Sequence, residues 1–120
     1  MVKSYQDLLV WQKAMELTVE IYRIVKLLPT EERYALSDQM KRAAVSIPSN
    51  IAEGQARNSV KEFIQFLSIA KGSNAELQTQ CLICRQLQYL PEAELKTALA
   101  LSDEVGKMLN GLIKNLDTSH

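Results

Sequence analysis

Residues 39–54, QMKRAAVSIPSNIAEG, place a proline inside a stretch that otherwise spaces its apolar residues as a helix does. Ala43, Ala44, Ile47, Ile51 and Ala52 keep the helical period on both sides of Pro48. An interior proline removes one backbone donor and crowds the carbonyl four residues earlier, here that of Ala44, at roughly 3 kcal/mol. The pattern therefore predicts a long helix kinked at Pro48, kept for a packing or binding reason. Asn50, two residues on, is placed to satisfy a carbonyl that the proline frees.

Three further breaks divide the chain. Pro29, the run Arg57-Asn58-Ser59 and the pair Leu90-Pro91 separate four segments. Ser4 with Asp7, and Ser59 with Glu62, match a hydroxyl followed three residues later by a carboxylate, the capping pattern of a helix start. Thr30 precedes Glu31 and Glu32, acidic residues that suit a first turn. Pro91 stands where a first helical residue would, ahead of Glu92 and Glu94. The signals predict helices over residues 4–28, 31–57, 60–89 and 92–116. Connections this short force neighbouring helices antiparallel. The expected fold is all-α, one domain over residues 1–120: an antiparallel up-down-up-down four-helix bundle with helix 2 kinked at Pro48. Apolar residues at 47% with aromatics at only 6% suit helices better than strands, and 120 residues bury a core without staples.

Helix 1 is apolar on two sides. Val10, Ala14, Leu17, Ile21, Ile24 and Leu28 form one stripe at helical spacing, and Leu8, Trp11, Met15, Val19 and Tyr22 form another roughly opposite. Four helices in one layer cannot bury both. Leu8, Trp11, Met15, Val19 and Tyr22 are the candidate interface with other copies of the chain; the alternative is that Trp11 and Tyr22 lie across the bundle edge. Helix 4 carries one stripe, Leu95, Leu99, Val105, Leu109, Leu112 and Leu116, interrupted by Ser102. The tail from Asp117 to His120 is expected to fray.

Catalytic arrangements fail one by one. The single histidine is His120, so no Ser-His or Cys-His pair can sit in a rigid site, and the Asp117-x-x-His120 spacing on a tail reads as accidental. Cys81-Leu82-Ile83-Cys84 is one CxxC inside a helix, with no second pair for zinc, and reads as two buried small hydrophobes. Glu31 and Glu32 point about 100° apart on a helix and read as dipole partners. Gly54, Gly72, Gly106 and Gly111 make no phosphate loop. No catalytic residue, metal site or cofactor is expected, and the chain is not expected to be an enzyme. No window of 18 apolar residues and no signal-peptide core occur, and the two cysteines suit a reducing compartment, so a cytoplasmic location without membrane contact is expected.

Lys and Arg total 14 and Asp and Glu total 14, a neutral sum unlike that of a dedicated nucleic-acid binder. The balance is uneven along the chain, with an acidic surplus after residue 90. A basic patch on helices 2 and 3 would draw on Lys41, Arg42, Arg57, Lys61, Lys71 and Arg85. On helix 2, Asp38, Arg42, Ser46, Ser49 and Glu53 share a narrow sector. Asp38 can pair with Arg42, and Arg42 with Glu53 across the kink. That sector is either a solvated face or a subunit seam or ligand surface. Gly72-Ser73 falls mid-helix, where glycine costs about 1 kcal/mol against alanine; close approach of another helix or plain tolerance would explain it.

These residues also carry a resemblance. Leu9-Val10-Trp11-Gln12-Lys13-Ala14-Met15 with Ile21-Tyr22, Leu28-Pro29, Arg42-Ala43-Ala44-Val45-Ser46-Ile47-Pro48-x-Asn50-Ile51-Ala52-Glu53-Gly54, then Phe63, Phe66-Leu67, Gly72-Ser73 and Glu76-Leu77 resemble the four-helix-bundle family encoded in intervening sequences of bacterial large-subunit ribosomal RNA genes. The accessory variability determinant (Avd) proteins of diversity-generating retroelements are similar. Asn74 departs from the family pattern, which tends to be apolar there. The resemblance implies a bundle assembled as a ring, typically a homopentamer. In its Avd-like branch it implies partnership with a reverse transcriptase and binding of nucleic acid. The expectation is a non-enzymatic oligomeric helical scaffold that binds RNA or an RNA-associated protein. The alternative is a structural, protein-interaction module without nucleic-acid contact.

Overall fold

The computed structural model describes residues 4–118, which form four α-helices and no strand. These are α1 (Leu9–Val25), α2 (Leu36–Gln55), α3 (Val60–Gln86) and α4 (Glu92–Thr118). Helix α1 packs along α2 and α4, and α3 packs along the same two, so each helix has two neighbours around a shared interior. The molecule measures 46 × 23 × 20 Å.

Helices α3 and α4 start where expected, at Val60 and Glu92, while the other helix ends depart from the expected boundaries, and local hydrogen bonding says why. The Ser4–Asp7 capping box forms, but it closes one 3₁₀ turn, Tyr5–Asp7, because Leu8 turns extended at ψ 124. Helix α1 then starts at Leu9 without a side-chain cap. Thr30–Glu32 likewise make a separate 3₁₀ turn, and α2 begins only at Leu36. Glu32 still serves that helix start: its carboxylate accepts the Leu36 N–H at 3.3 Å and the Tyr89 hydroxyl at 2.8 Å, tying the α1–α2 connection to the α3–α4 turn. Helix α3 stops at Gln86 because Gln88 adopts φ 60. The Gln88 and Tyr89 N–H groups then return to the carbonyls of Arg85 and Cys84 at 3.0 and 2.9 Å, a Schellman closure made without the usual glycine. Helix α4 outlasts its expected end. Asp117 and Thr118 are helical rather than frayed, with the Thr118 hydroxyl donating to Lys114 O at 3.1 Å; Ser119 and His120 lie outside the described residues.

Leu17, Ile21 and Ile24 from α1, Met40, Ile47 and Ile51 from α2, Leu67 and Leu77 from α3, and Leu95, Val105 and Leu109 from α4 form one fully buried cluster. Pro48 is buried inside an unbroken α2. The carbonyl it leaves without a backbone partner, that of Ala44, accepts a hydrogen bond from the Thr18 hydroxyl of α1 at 3.1 Å. The expected remedy, Asn50, instead donates to Ser46 O at 2.8 Å, because its side chain reaches only one turn back along its own helix. The proline thus ties α1 to α2.

Candidate interaction surface

The two stripes of α1 meet different fates. Val10, Ala14, Leu17, Ile21, Ile24 and Leu28 are all buried. In the second stripe, Leu8 and Trp11 are half-buried against the core, and Trp11 meets the Tyr5 ring edge-on at 5.2 Å. Met15, Val19 and Tyr22 remain 39%, 68% and 41% exposed. The first turn of the chain therefore covers one end of the stripe and leaves its middle open. Met15 and Val19 share a groove with Leu101 of α4, while Tyr22 lies beside Val45, 42% exposed, in a groove shared with α2.

The central motif divides between packing and surface. Ser46 Oγ lies 2.8 Å from Ser73 Oγ of α3, and Asn50 Nδ2 also donates to Ser46 Oγ at 2.9 Å. One turn further, Gly54 meets α3 with no space to spare: a Cβ there would sit 2.7 Å from Phe66 Cβ and 3.3 Å from the Phe63 carbonyl. Ser46, Asn50, Gly54 and Ser73 are thus an internal α2–α3 seam. Ser49 and Glu53 face outward. Gly72 has open space around it, with nothing within 4 Å of where a Cβ would stand, so no helix of the same chain approaches closely there.

The polar line on α2 pairs differently from expectation at one point. Arg42 Nε holds Asp38 at 3.1 Å, but Glu53 is held by Arg57 at 2.6 Å, one turn away. Arg42 is eleven residues from Glu53, about 16 Å along a helix, and out of reach. The six basic candidates spread rather than cluster. Lys61 to Arg85 alone spans about 36 Å of α3. Arg57 lies over the Phe66 ring at 4.7 Å, and Arg85 pairs with Glu92 at 3.0 Å. Lys41 lies 5.5 Å from the Tyr22 ring centre. Lys61 and Lys71 are exposed and make no ion pair among the described residues.

The sulfur pair is inert. Cys81 and Cys84 are buried free thiols, and burial pushes Cys81 up to about 12 and Cys84 up to about 11. Cys84 Sγ lies 3.7 Å from Met40 Sδ, as a core contact does. A thiolate is the nucleophile and the metal ligand, so raised pKa values disfavour both roles. Among the described residues no three His, Cys, Asp or Glu side chains gather to hold a metal; His120 of the Asp117-x-x-His120 spacing lies outside them. No described helix is long and apolar enough to cross a membrane.

Two polar contacts had only faint sequence signals. Ser102, the interruption on α4, donates to Asn74 Oδ1 at 3.0 Å, and Asn74 Nδ2 donates back to Ser102 O at 2.9 Å, both residues being buried. Gly106 makes room for the amide: a Cβ there would stand 3.1 Å from Asn74 Nδ2. Thr18, the partner of Ala44, had no signal beyond a hydroxyl on a mostly apolar helix.

The described residues thus combine four helices, an open apolar face on α1, two buried free thiols and a polar seam behind Pro48. The family model described as 23S rRNA-intervening sequence protein matches residues 6–111, and the chain belongs to that family. A solved structure, described as a protein of unknown function from the S23 ribosomal protein family of Bacteroides thetaiotaomicron VPI-5482, is similar at 28% identity with a TM-score of 0.81, over 88% of this chain and 95% of that one. No curated protein matches the sequence.

Proposed function

We propose that this protein is a non-enzymatic helical scaffold that assembles with copies of itself and, as an assembly, binds RNA or an RNA-associated protein. The observation that carries the reading is the open face of α1, where Met15, Val19 and Tyr22 stay exposed with Val45 beside them. Apolar side chains grouped at helical spacing on one face mark an interaction site. Leu8 and Trp11 border that face, and a pentameric ring is the stoichiometry implied by the family resemblance. The protomer in this reading is a single-domain, antiparallel up-down-up-down bundle with α2 bent at Pro48. Ion pairs support the topology: Lys13 with Glu104 and Arg23 with Glu94 join α1 to α4 in opposite chain order, as Ser46–Ser73 and Met40–Cys84 do for α2 and α3. Buried free thiols fit a reducing, cytoplasmic setting.

Mass measured by light scattering tests the assembly. The wild-type chain is expected at a multiple of 13.5 kDa, and Val19→Glu at the protomer mass with helical circular dichroism retained. A monomeric wild type would sink the reading. For RNA, Lys61 and Lys71 are free to meet phosphates. Anisotropy of labelled structured RNA should report binding that fades steeply between low and near-physiological salt and is lost when Arg57 and Lys61 become Glu. A second reading, a protein-interaction module without nucleic acid, is favoured by Arg42, Arg57 and Arg85 each holding a carboxylate of their own chain. It predicts no RNA binding even at low salt.

A further inference from the structure

Where α1 gives way to α2, Lys26, Thr30, Arg33, Ser37 and Lys41 line a recess of about 320 Å³. It carries three cations and no Asp or Glu in its lining. None of the three makes an ion pair among the described residues, in contrast to most arginines of the chain. Arg33 lies 5.8 Å from the Tyr34 ring and Lys41 5.5 Å from the Tyr22 ring, contacts that orient a cation without neutralising it. Of the carboxylates nearest in sequence, Glu32 holds the Leu36 N–H and the Tyr89 hydroxyl and Asp38 holds Arg42, while Glu31 is exposed and outside the lining of the recess. Three unpaired like charges around one recess repel one another, and an anion between them relieves that repulsion.

A second observation is independent of the charges. Ser37 is only 6% exposed, lines the recess, and its hydroxyl has no hydrogen-bond partner among the described residues. Among the described residues the fully buried polar side-chain atom without a partner is Gln80 Oε1, so the Ser37 oxygen still reaches the recess and is open to a ligand there. The backbone N–H groups of Ser37 and Asp38 are also without partners among the described residues, and Ala35, at the N-cap of α2, has no side-chain group to offer them. A helix start left open in this way presents donors and the positive end of its dipole to an anion.

We propose that this recess is a binding site for a phosphate monoester. A carboxylate brings one charge and two oxygens, whereas a phosphate monoester brings between about 1.5 and 2 charges and three terminal oxygens, matching three cations, a hydroxyl and free N–H groups. The same chemistry is offered by a small phosphorylated molecule or by the 5′ end of an RNA. This site is separate from the α2–α3 surface invoked above for RNA, apart from Lys41 at its edge, and stands or falls without it.

The test uses calorimetric titration of the full chain with inorganic phosphate at low salt, then short single-stranded RNA with a 5′-phosphate or a 5′-hydroxyl. Saturable phosphate binding is expected. It should weaken roughly tenfold in Arg33→Gln and in Lys26→Gln, since hydrogen bonds to a charged group contribute on that scale, and less in Ser37→Ala. Lys114→Gln, on α4, should leave it unchanged. Tighter binding of the 5′-phosphate RNA than of its 5′-hydroxyl twin would support the site and assign it to RNA ends. Equal RNA affinities with phosphate binding retained would support it as a small-molecule site. No saturable phosphate binding at low salt, or binding that Arg33→Gln and Lys26→Gln leave intact, would overturn the proposal. Failure of the Arg57 and Lys61 experiment would not, because Arg33→Gln and Lys26→Gln alter this recess and leave that surface intact.

Discussion

Helix α3 lives in two environments. Its inward sides are filled: Gly54 of α2 presses on Phe63 and Phe66, Asn74 is locked to Ser102, and Cys81 and Cys84 are sealed in the core. Its outward side is open, with nothing near Gly72 and with Ile69 and Ile83 exposed at 51% and 40%. Serine occurs on both sides, Ser73 against Ser46 and Ser68 exposed, and one glycine, Gly54, is pressed against α3 while another, Gly72, stands open, so residue type does not tell the sides apart. What differs is whether a neighbouring helix fixes the space around each residue. Close-packed interiors resist a change of even one methylene, while open helix faces respond only to backbone preference. The same residue type thus answers to different physics a few turns apart.

The largest effect is expected at Gly54. Its Cβ would stand 2.7 Å from Phe66 Cβ, an atom anchored to the α3 backbone and unable to swing aside. Gly54→Val must push α3 away from α2, at about 3 kcal/mol, the upper range for overpacking. Urea unfolding followed by circular dichroism measures it. A variant as stable as the wild type would mean that the α2–α3 seam yields, and the contrast with Gly72 would collapse.

Asn74 comes next. Asn74→Ala removes two hydrogen bonds and leaves Ser102 buried, an expected loss of about 2 kcal/mol. Replacing both partners by apolar groups, Asn74→Leu with Ser102→Ala, should recover most of it, because a buried polar pair is costly to break and far less costly to omit. If the double variant is no better than the single one, the pair contributes more than mutual satisfaction.

These sites also mark how far the residues foretold the structure. Four helices and the two stripes of α1 were legible because periodicity integrates over many positions. Boundaries were less so: Ser4–Asp7 and Thr30–Glu32 carry proper start signals, yet each closes only a 3₁₀ turn before the helix proper begins. The stop after Gln86 was hidden because Gln88, not glycine, takes the left-handed turn. Partner choice was least legible. Nothing near Pro48 points to Thr18, thirty residues earlier, and the separation of Asn74 from Ser102 hides their pairing. The recess beside Ser37 gathers residues from both sides of Pro29, and among its polar residues only Lys41, as a basic candidate, and Thr30, as a helix start, stood out beforehand.

A third effect separates the sides by pH. The sealed thiols of Cys81 and Cys84 titrate at about 12 and about 11, against an ordinary value of 9.0. The unfolded chain loses those protons first, so the stability they contribute is whole below pH 9 and drains as the pH rises towards 11 and 12. For Cys81 the slope is on the order of 1 kcal/mol for each pH unit in that window. Urea midpoints at pH 8 and pH 10 should differ more for the wild type than for Cys81→Ala with Cys84→Ala. Equal slopes would place the thiols in contact with solvent.

The smallest effect, and the one of opposite sign, belongs to Gly72. A Cβ there meets nothing within 4 Å, and the residue sits in the middle of a 27-residue helix. Gly72→Ala should therefore stabilise the isolated protomer by roughly 0.5–1 kcal/mol through backbone entropy alone. Should the assembled protein instead lose stability or mass on the same substitution, the open side of α3 is closed by a second subunit, and the space around Gly72 is a contact reserved for it. Measuring both unfolding and mass on one variant separates the two cases. A gain in stability with unchanged mass keeps Gly72 on a free surface and leaves assembly to the open face of α1.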